Sequence, residues 1–386
     1  GGDTIGYYIS TERFTNLLWK HPRIYLSILS GNMSPENFSY FDSETGFPWY
    51  SDDFPAFSVI RFTSPFMILG AYRFVLTTVI IAVITYSGVW KLYRVLYELF
   101  PDLKKELAIA VLFVPSVVFW GSGILKDSFT LSAVGWFTYS FYNIFIRRRK
   151  FFYGLIASLI SIYVMLCIKP YVFFSLFLGL LVWLTFHYMK NIKSQMFKVI
   201  FLPILILIFW GLGSILIAQL TDVVGGAYAS VENMITKIVV TQDDLKREYY
   251  GGESFDIGYF EPTLPGILSK APQAIIAGLY RPYIWESANI VMLFSGLENL
   301  ALMLLSLYVL FRIGLFRTFK YIFQIPFLAF AFTYAIPFAF AVGLSTSNFG
   351  ALVRYRIPLL PFMISGLFIL IHHYRKQKRE KEKNQI

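Results

Sequence analysis

Between Lys150 and Lys169 the chain reads FFYGLIASLISIYVMLCI (residues 151–168), and after Lys169 it reads PYVFFSLFLGLLVWLTFHYM (residues 170–189) as far as Lys190. Each stretch is uncharged and close to the ~20 apolar residues that an α-helix needs to cross a bilayer core. Two such runs divided by a single lysine read as two helices crossing a membrane in opposite directions. Comparable runs lie between Arg73 and Lys91, Glu106 and Lys126, Asp127 and Arg147, and Lys198 and Asp222. Another spans Ser287–Phe311, interrupted by Glu298, and the last is Ile357–Tyr374. Tyr321–Val353 is too long for one span and reads as a helix followed by an outer re-entry loop around Ser345–Gly350. The fold class is therefore all-α, a polytopic transmembrane bundle of nine spans forming one integral membrane domain over residues 1–386.

Composition agrees. Of 386 residues 56% are hydrophobic, 19% are aromatic and 15% are charged, whereas soluble domains carry about 25% charged residues. The mean hydropathy is +0.59. Cys167 is the single cysteine and sits inside an apolar run, which excludes a disulfide framework, a cysteine metal site and a dithiol motif.

The net charge of +11 is a topology signal, since cytoplasmic loops retain Lys and Arg. With the basic tail 375–386 inside, the cytoplasmic segments hold 20 of the 34 basic residues against five acids, among them the Arg147–Lys150 cluster. The outer segments hold 14 basic and 17 acidic residues, so the charge is no footprint of a nucleic acid. This pattern expects the C-terminus in the cytoplasm and a bacterial inner membrane location. An odd span count puts Gly1-Gly2-Asp3 outside, and a further span is expected upstream.

Residues 1–64 and 222–286 form the two outer, periplasmic loops. Val231, Met234, Ile235, Ile238 and Val239 recur at helical spacing opposite Glu232, Asn233, Thr236 and Lys237, and Pro272–Leu279 reads as a short helix stopped by Pro282. Phe14, Leu17 and Leu18 form a smaller stripe. Amphipathic helices of this kind lie in the membrane interface, either capping the bundle or roofing a cavity.

Five polar clusters at the outer boundary have no evident structural need: Asp3; Asp52-Asp53; Lys126-Asp127; Arg281 to Asn289, with Glu286; and Arg354 and Arg356 in the segment 348–358. Basic residues placed outside against the charge rule call for a partner, and the planar fork of Arg suits phosphate. Asp3, Asp52 and Asp53 are candidate catalytic carboxylates, as a general base on a hydroxyl or as holders of a divalent cation. The plainer alternatives are solvated acids, Arg paired with loop carboxylates or lipid head groups, and an interfacial Lys126–Asp127 pair.

An acidic residue after a first helix, surface helices in the first outer loop and about ten spans resemble the GT-C class of membrane glycosyltransferases. The stretches Pro115-Ser-Val-Val-Phe-Trp-Gly-Ser-Gly-Ile-Leu-Lys-Asp127, Arg281-Pro-Tyr-Ile-Trp-Glu286 and Arg354-Tyr-Arg-Ile-Pro358 resemble those of uncharacterised bacterial multi-pass proteins of surface-polysaccharide loci. The resemblance implies a sugar transferred from a polyprenyl-phosphate or polyprenyl-diphosphate donor at the outer face, with membrane lipid and a glycan, lipid or protein acceptor as partners. It puts Asp3 in the catalytic acidic position and makes Lys126, Arg281, Arg354 and Arg356 phosphate-gripping candidates. The chain departs from better-known members in lacking a sizeable soluble C-terminal domain.

A polysaccharide polymerase or ligase shares that cavity type. A flippase or transporter is the rival class, and ion-coupled transporters pair ionisable groups near mid-membrane. The spans carry one such residue, Glu298, on the order of 16 Å along its helix from Ser287 at 1.5 Å per residue, and it is expected to bond a neighbouring helix. His187, His372 and His373 lie near inner helix ends and read as interfacial, and Pro326 and Pro337 are expected to kink the eighth span. The topology is checked by cysteine labelling of intact cells: a cysteine at Ser254 is modified from outside and one at Ser194 is not. Labelling at Ser194 would overturn the assignment of outer loops.

Overall fold

The structure, a computed structural model, describes residues 3–189, 211, 231–245 and 254–384. All its regular structure is helical apart from one antiparallel bridge between Ser254 and Asn348. The chain forms two compact units. The first comprises Gly1–Leu92, Val118–Ser140 and Phe152–Phe173, and the second Tyr93–Val117, Phe141–Phe151 and Phe174–Ile386.

Among the described residues five helices are long and apolar enough to cross a membrane: Phe74–Leu99, Phe151–Ile168, Pro170–Met189, Ile290–Ile313 and Pro326–Ser345. A sixth crossing exists if Phe349–Tyr355 and Leu360–Lys383, bent by 66° to each other, are one broken span. The remaining expected spans take other forms. Glu106–Lys126 is no continuous helix: Lys104–Leu112 ends before Phe113 and Pro115–Trp120 starts anew, because proline has no amide hydrogen to donate and disfavours a helical residue before it. Asp127–Arg147 folds as the α-helix Lys126–Phe141 and a π turn over Tyr142–Ile146. Lys198–Asp222 lies outside the described residues except for Gly211. Pro326 does not kink a helix but begins one, where its missing donor costs nothing, and Pro337 alone is internal.

In the first unit the helix Asp3–Lys20 packs along Phe54–Leu69 and against Pro22–Ser30. Phe14 stacks on Tyr25 at 4.8 Å and meets the Phe57 ring edge-on at 5.6 Å, and Thr15 bonds Ser64 at 2.7 Å. Helices Phe74–Leu99 and Lys126–Phe141 touch backbone to backbone: a Cβ on Gly88 would lie 2.1 Å from the Ser132 carbonyl oxygen, and one on Gly135 2.0 Å from that of Gly88. Small residues at the crossing are the usual route to close approach in lipid, where apolar side chains gain little by leaving the solvent.

The second unit centres on Pro326–Ser345, whose most apolar 18-residue stretch is 72% buried, whereas that of Ile290–Ile313 is 22% buried and turns most of its surface away from the other described residues. The residues expected to form a surface helix become Ala271–Tyr280, which packs on Pro326–Ser345 through the same device. A Cβ on Gly278 would meet the Ala339 oxygen at 2.1 Å, and one on Gly343 the Ala274 oxygen at 1.9 Å. Gly343→Ala is therefore expected to force the two helices apart at a cost of about 1–3 kcal/mol. Thermal unfolding in detergent reads this out, and an unchanged midpoint would contradict it.

Candidate functional site

In the first unit three of the sequence-selected segments meet. Asp53 is the N-cap of Phe54–Leu69: its Oδ1 accepts the Ala56 amide at 3.0 Å, the usual service of aspartate at that position. Its Oδ2 accepts the Lys126 ammonium at 3.2 Å. Asp53 is thus engaged through both oxygens. Asp52 beside it is exposed and has no hydrogen bond or ion pair to another described residue. Asp3 is exposed in the first turn of its helix, a position that favours a negative charge. The next residue, Thr4, has its hydroxyl 3.7 Å from where a Gly123 side chain would begin, and Gly6 faces the Tyr50 hydroxyl, 2.8 Å from the position of a Cβ. The start of the first helix, the Trp49–Asp53 turn and the Gly123–Lys126 loop therefore share one end of the unit. Among the described residues no three His, Cys, Asp or Glu side chains come together as a metal-binding group.

Lys126 and Asp127 are neighbours in sequence with different partners. Asp127 is wholly buried and pairs with Lys169, itself nearly buried. A third buried charge is Arg61, which has no exposure. It donates to the Leu29 carbonyl at 3.3 Å, to the Tyr163 hydroxyl at 3.4 Å and to Ser58 Oγ at 3.0 Å, between the rings of Phe54 and Phe62. The apolar residues around these groups give no alternative solvation, so each bond is needed to offset the cost of burial.

In the second unit the other four candidates lie on two segments. Arg281 ends the helix Ala271–Tyr280 and grips Glu286 through Nε, at 3.0 and 3.2 Å, and through Nη2. Glu286 also accepts the Tyr283 amide at 2.8 Å, closing the turn. The guanidinium lies 4.7 Å from the Phe255 ring centroid, 5.5 Å from Phe349 and 5.9 Å from Tyr283. Its Nη1 makes no hydrogen bond within the described structure. Burial, opposed by the Arg281 charge, raises the Tyr283 phenol above its ordinary value, so it is a neutral donor at physiological pH.

Arg356 has no exposure and reaches back to the same turn. Its Nη1 donates to the carbonyls of Leu279 at 3.2 Å and Arg281 at 2.9 Å, and its Nη2 to Asn299 Oδ1. Asn299 in turn donates to the Pro282 carbonyl at 2.8 Å. Arg356 therefore clamps the 279–282 backbone, while Arg354 is part-exposed with its guanidinium 5.9 Å from the Tyr355 ring. Glu298 accepts the amide and the hydroxyl of Ser116 at 2.9 and 2.6 Å, at the start of Pro115–Trp120. Beside the turn is an apolar cavity of about 410 Å³ lined by Ile276, Tyr280, Tyr283, Met303, Leu310 and Phe332 among others. Tyr283 thus touches the Arg281 charge and the apolar cavity together.

The eight candidates separate by unit: Asp3, Asp52, Asp53 and Lys126 in the first, Arg281, Glu286, Arg354 and Arg356 in the second. Sequence reasoning missed Asn299 and Phe255 as members of the Arg281 turn, and Lys169 as the partner of Asp127. Lys169 could have been flagged, as a lone charge between two 18- to 20-residue apolar helices; its partner could not. No family model matches the chain, and no curated protein or solved structure does either.

The buried pair gives a sharp expectation. Lys169→Met or Asp127→Leu alone strands a charge and destabilises by about 3–5 kcal/mol, whereas the double variant recovers most of that loss. A double-mutant cycle on thermal or denaturant unfolding measures the coupling, and additive single effects would contradict the pairing.

Proposed function

We propose that the chain is a glycosyltransferase of the bacterial inner membrane, transferring a sugar from a polyprenyl-phosphate or polyprenyl-diphosphate donor at the outer face. In this reading the bundle has nine spans, with residues 1–64 and 222–286 outside and amphipathic helices in both loops. The observation that carries it is the polar end of the first unit, where Asp3 and Asp52 are exposed at the same end as the Asp53–Lys126 pair. An exposed carboxylate at such a place suits a general base. It takes the proton of an acceptor hydroxyl as that oxygen bonds to the anomeric carbon, and the bond from that carbon to the phosphate oxygen breaks, so that the lipid phosphate departs with the electron pair. Asp3 is the first choice for this base and Asp52 the second.

The anionic, prenyl-chain character of the donor is supported by the second unit. Arg281 offers Nη1 while its other nitrogens are held by Glu286, so its plane is fixed before any phosphate arrives, and the adjoining apolar cavity suits an alkenyl chain. Arg354 is a further candidate for the phosphate, and Arg356 a positioning residue that acts through the turn. A polymerase or ligase would use the same chemistry on a longer acceptor.

One observation favours a second reading, a transporter or flippase of lipid-linked oligosaccharide: Asp127–Lys169 and Arg61 are ionisable groups deep in an apolar unit, which in membrane proteins often mark a substrate or ion path. Reconstituted membranes supplied with a polyprenyl-phosphate sugar separate the two. Asp3→Asn is expected to abolish transfer while leaving donor binding intact, and Arg281→Lys to weaken donor binding about tenfold by losing the planar fork. Full turnover by Asp3→Asn would exclude it, and activity of Asp52→Asn and Asp53→Asn as well would move the balance to transport.

A further inference from the structure

The first unit carries a second feature, remote in character from its carboxylate end. Helices Phe74–Leu99, Lys126–Phe141 and Phe151–Ile168 border an open groove of about 340 Å³, lined by Ile84, Phe129, Ala157, Ile160 and Val164 along its length and by Trp136 and Tyr153 at one end. Most of its few polar groups, the Ser132 and Tyr153 hydroxyls apart, are already spent. Thr85 donates to Ile81, Ser161 to Ala157 and Ser87 to Ile84, each to a carbonyl of its own helix, and the Trp136 indole donates to Ser87 at 2.9 Å. The wall therefore presents hydrocarbon. Residues 153 and 164 at its two ends lie eleven positions apart on one helix, roughly 16 Å at 1.5 Å per residue, about half of the ~30 Å hydrocarbon thickness of a bilayer.

At the aromatic end stands Lys91. Its ammonium is 4.7 Å from the centroids of both Trp136 and Tyr139 and 6.0 Å from that of Tyr153, and it has no carboxylate or hydrogen-bond acceptor among the described residues. Rings hold a cation without neutralising it, so the charge remains available to an anion at the groove's mouth. Trp and Tyr are also the residues that settle at the head-group level of a membrane.

We propose that this groove is a binding site for one anionic glycerophospholipid, an acyl chain lying along Ile84, Ala157 and Ile160 and the phosphate head group on Lys91. The site is independent of the transferase reading, needs neither Asp3 nor Arg281, and by the distribution of basic residues belongs to the cytoplasmic leaflet. A depth of half a bilayer accommodates one leaflet's chain, and a lone ammonium at the end of an otherwise uncharged groove selects an anionic head over a zwitterionic one.

Native mass spectrometry of the full chain released from detergent, titrated with phosphatidylglycerol or phosphatidylcholine of identical acyl chains, tests this. The wild type is expected to retain phosphatidylglycerol about fivefold better, the worth of one basic side chain near a membrane surface. Lys91→Gln abolishes that preference, and Ala157→Phe, which fills the groove, lowers retention of both lipids. Dioctanoyl phosphatidylglycerol, too short to reach Val164, binds the wild type more weakly than the dipalmitoyl lipid, which tests the groove without any variant. Equal retention of both head groups by the wild type, or a preference that survives Lys91→Gln, overturns the head-group assignment. Indifference to chain length overturns the groove.

Discussion

Two guanidiniums are carried into apolar interiors, and the arrangement of each unit follows from how they are satisfied. Arg61 and Arg356 have no exposure, and each spends its Nη1 and Nη2 donors on main-chain carbonyls and neutral side chains: Leu29, Ser58 and Tyr163 in one case, Leu279, Arg281 and Asn299 in the other. The Nε of each is buried and makes no hydrogen bond among the described residues. An unsatisfied buried charge costs several kcal/mol, so the segments that supply those oxygens cannot drift. In the first unit this ties the end of Pro22–Ser30 to the helix Phe54–Leu69 that Asp53 caps. In the second it fixes the backbone of residues 279–282, and with it the position from which the Arg281 side chain leaves. Arg281 is then held in plane by Glu286 and walled by Phe255 and Phe349. Candidate site side chains such as Arg281 thus rest on charged side chains that never reach the surface.

Close helix contact is the second support. Gly88 against Ser132 and Gly135, and Gly278 and Gly343 against Ala339 and Ala274, bring backbones together where no side chain fits. The helix Ala271–Tyr280 has this contact along one side and leads directly into the Arg281 turn, so the glycine packing at Ala274 and Gly278 and the Arg356 bonds to Leu279 and Arg281 act on adjacent stretches of one segment.

Much of this was legible in the residues and some was not. Charges at Lys150, Lys169 and Lys190 bracket two apolar runs, and the helices Phe151–Ile168 and Pro170–Met189 occupy them almost to the residue, since a charge marks where lipid ends. The break at Phe113–Val114 escaped because hydropathy is blind to a proline that divides an apolar run. Arg281 and Glu286 were both conspicuous in the sequence, but their partnership depends on a turn whose course is set by Arg356, seventy-five residues away. The pairing of Asp127 with Lys169 is likewise a product of tertiary packing over 42 residues, and no local pattern encodes it. Asn299 was visible only as the neighbour of Glu298; its task, joining Arg356 to the Pro282 carbonyl, exists only once three segments have met.

The central proposal is that a lipid-linked phosphate is held by Arg281 with its chain in the adjoining apolar cavity. An experimental structure of the full chain in lipid nanodiscs with a polyprenyl-phosphate sugar tests it most directly. The account predicts density for the phosphate within hydrogen-bonding distance of Arg281 Nη1, with the prenyl chain running past Tyr283 toward Met303 and Leu310 and the Arg281–Glu286 bond retained. Donor density elsewhere, with that cavity empty and Nη1 facing solvent, would contradict it.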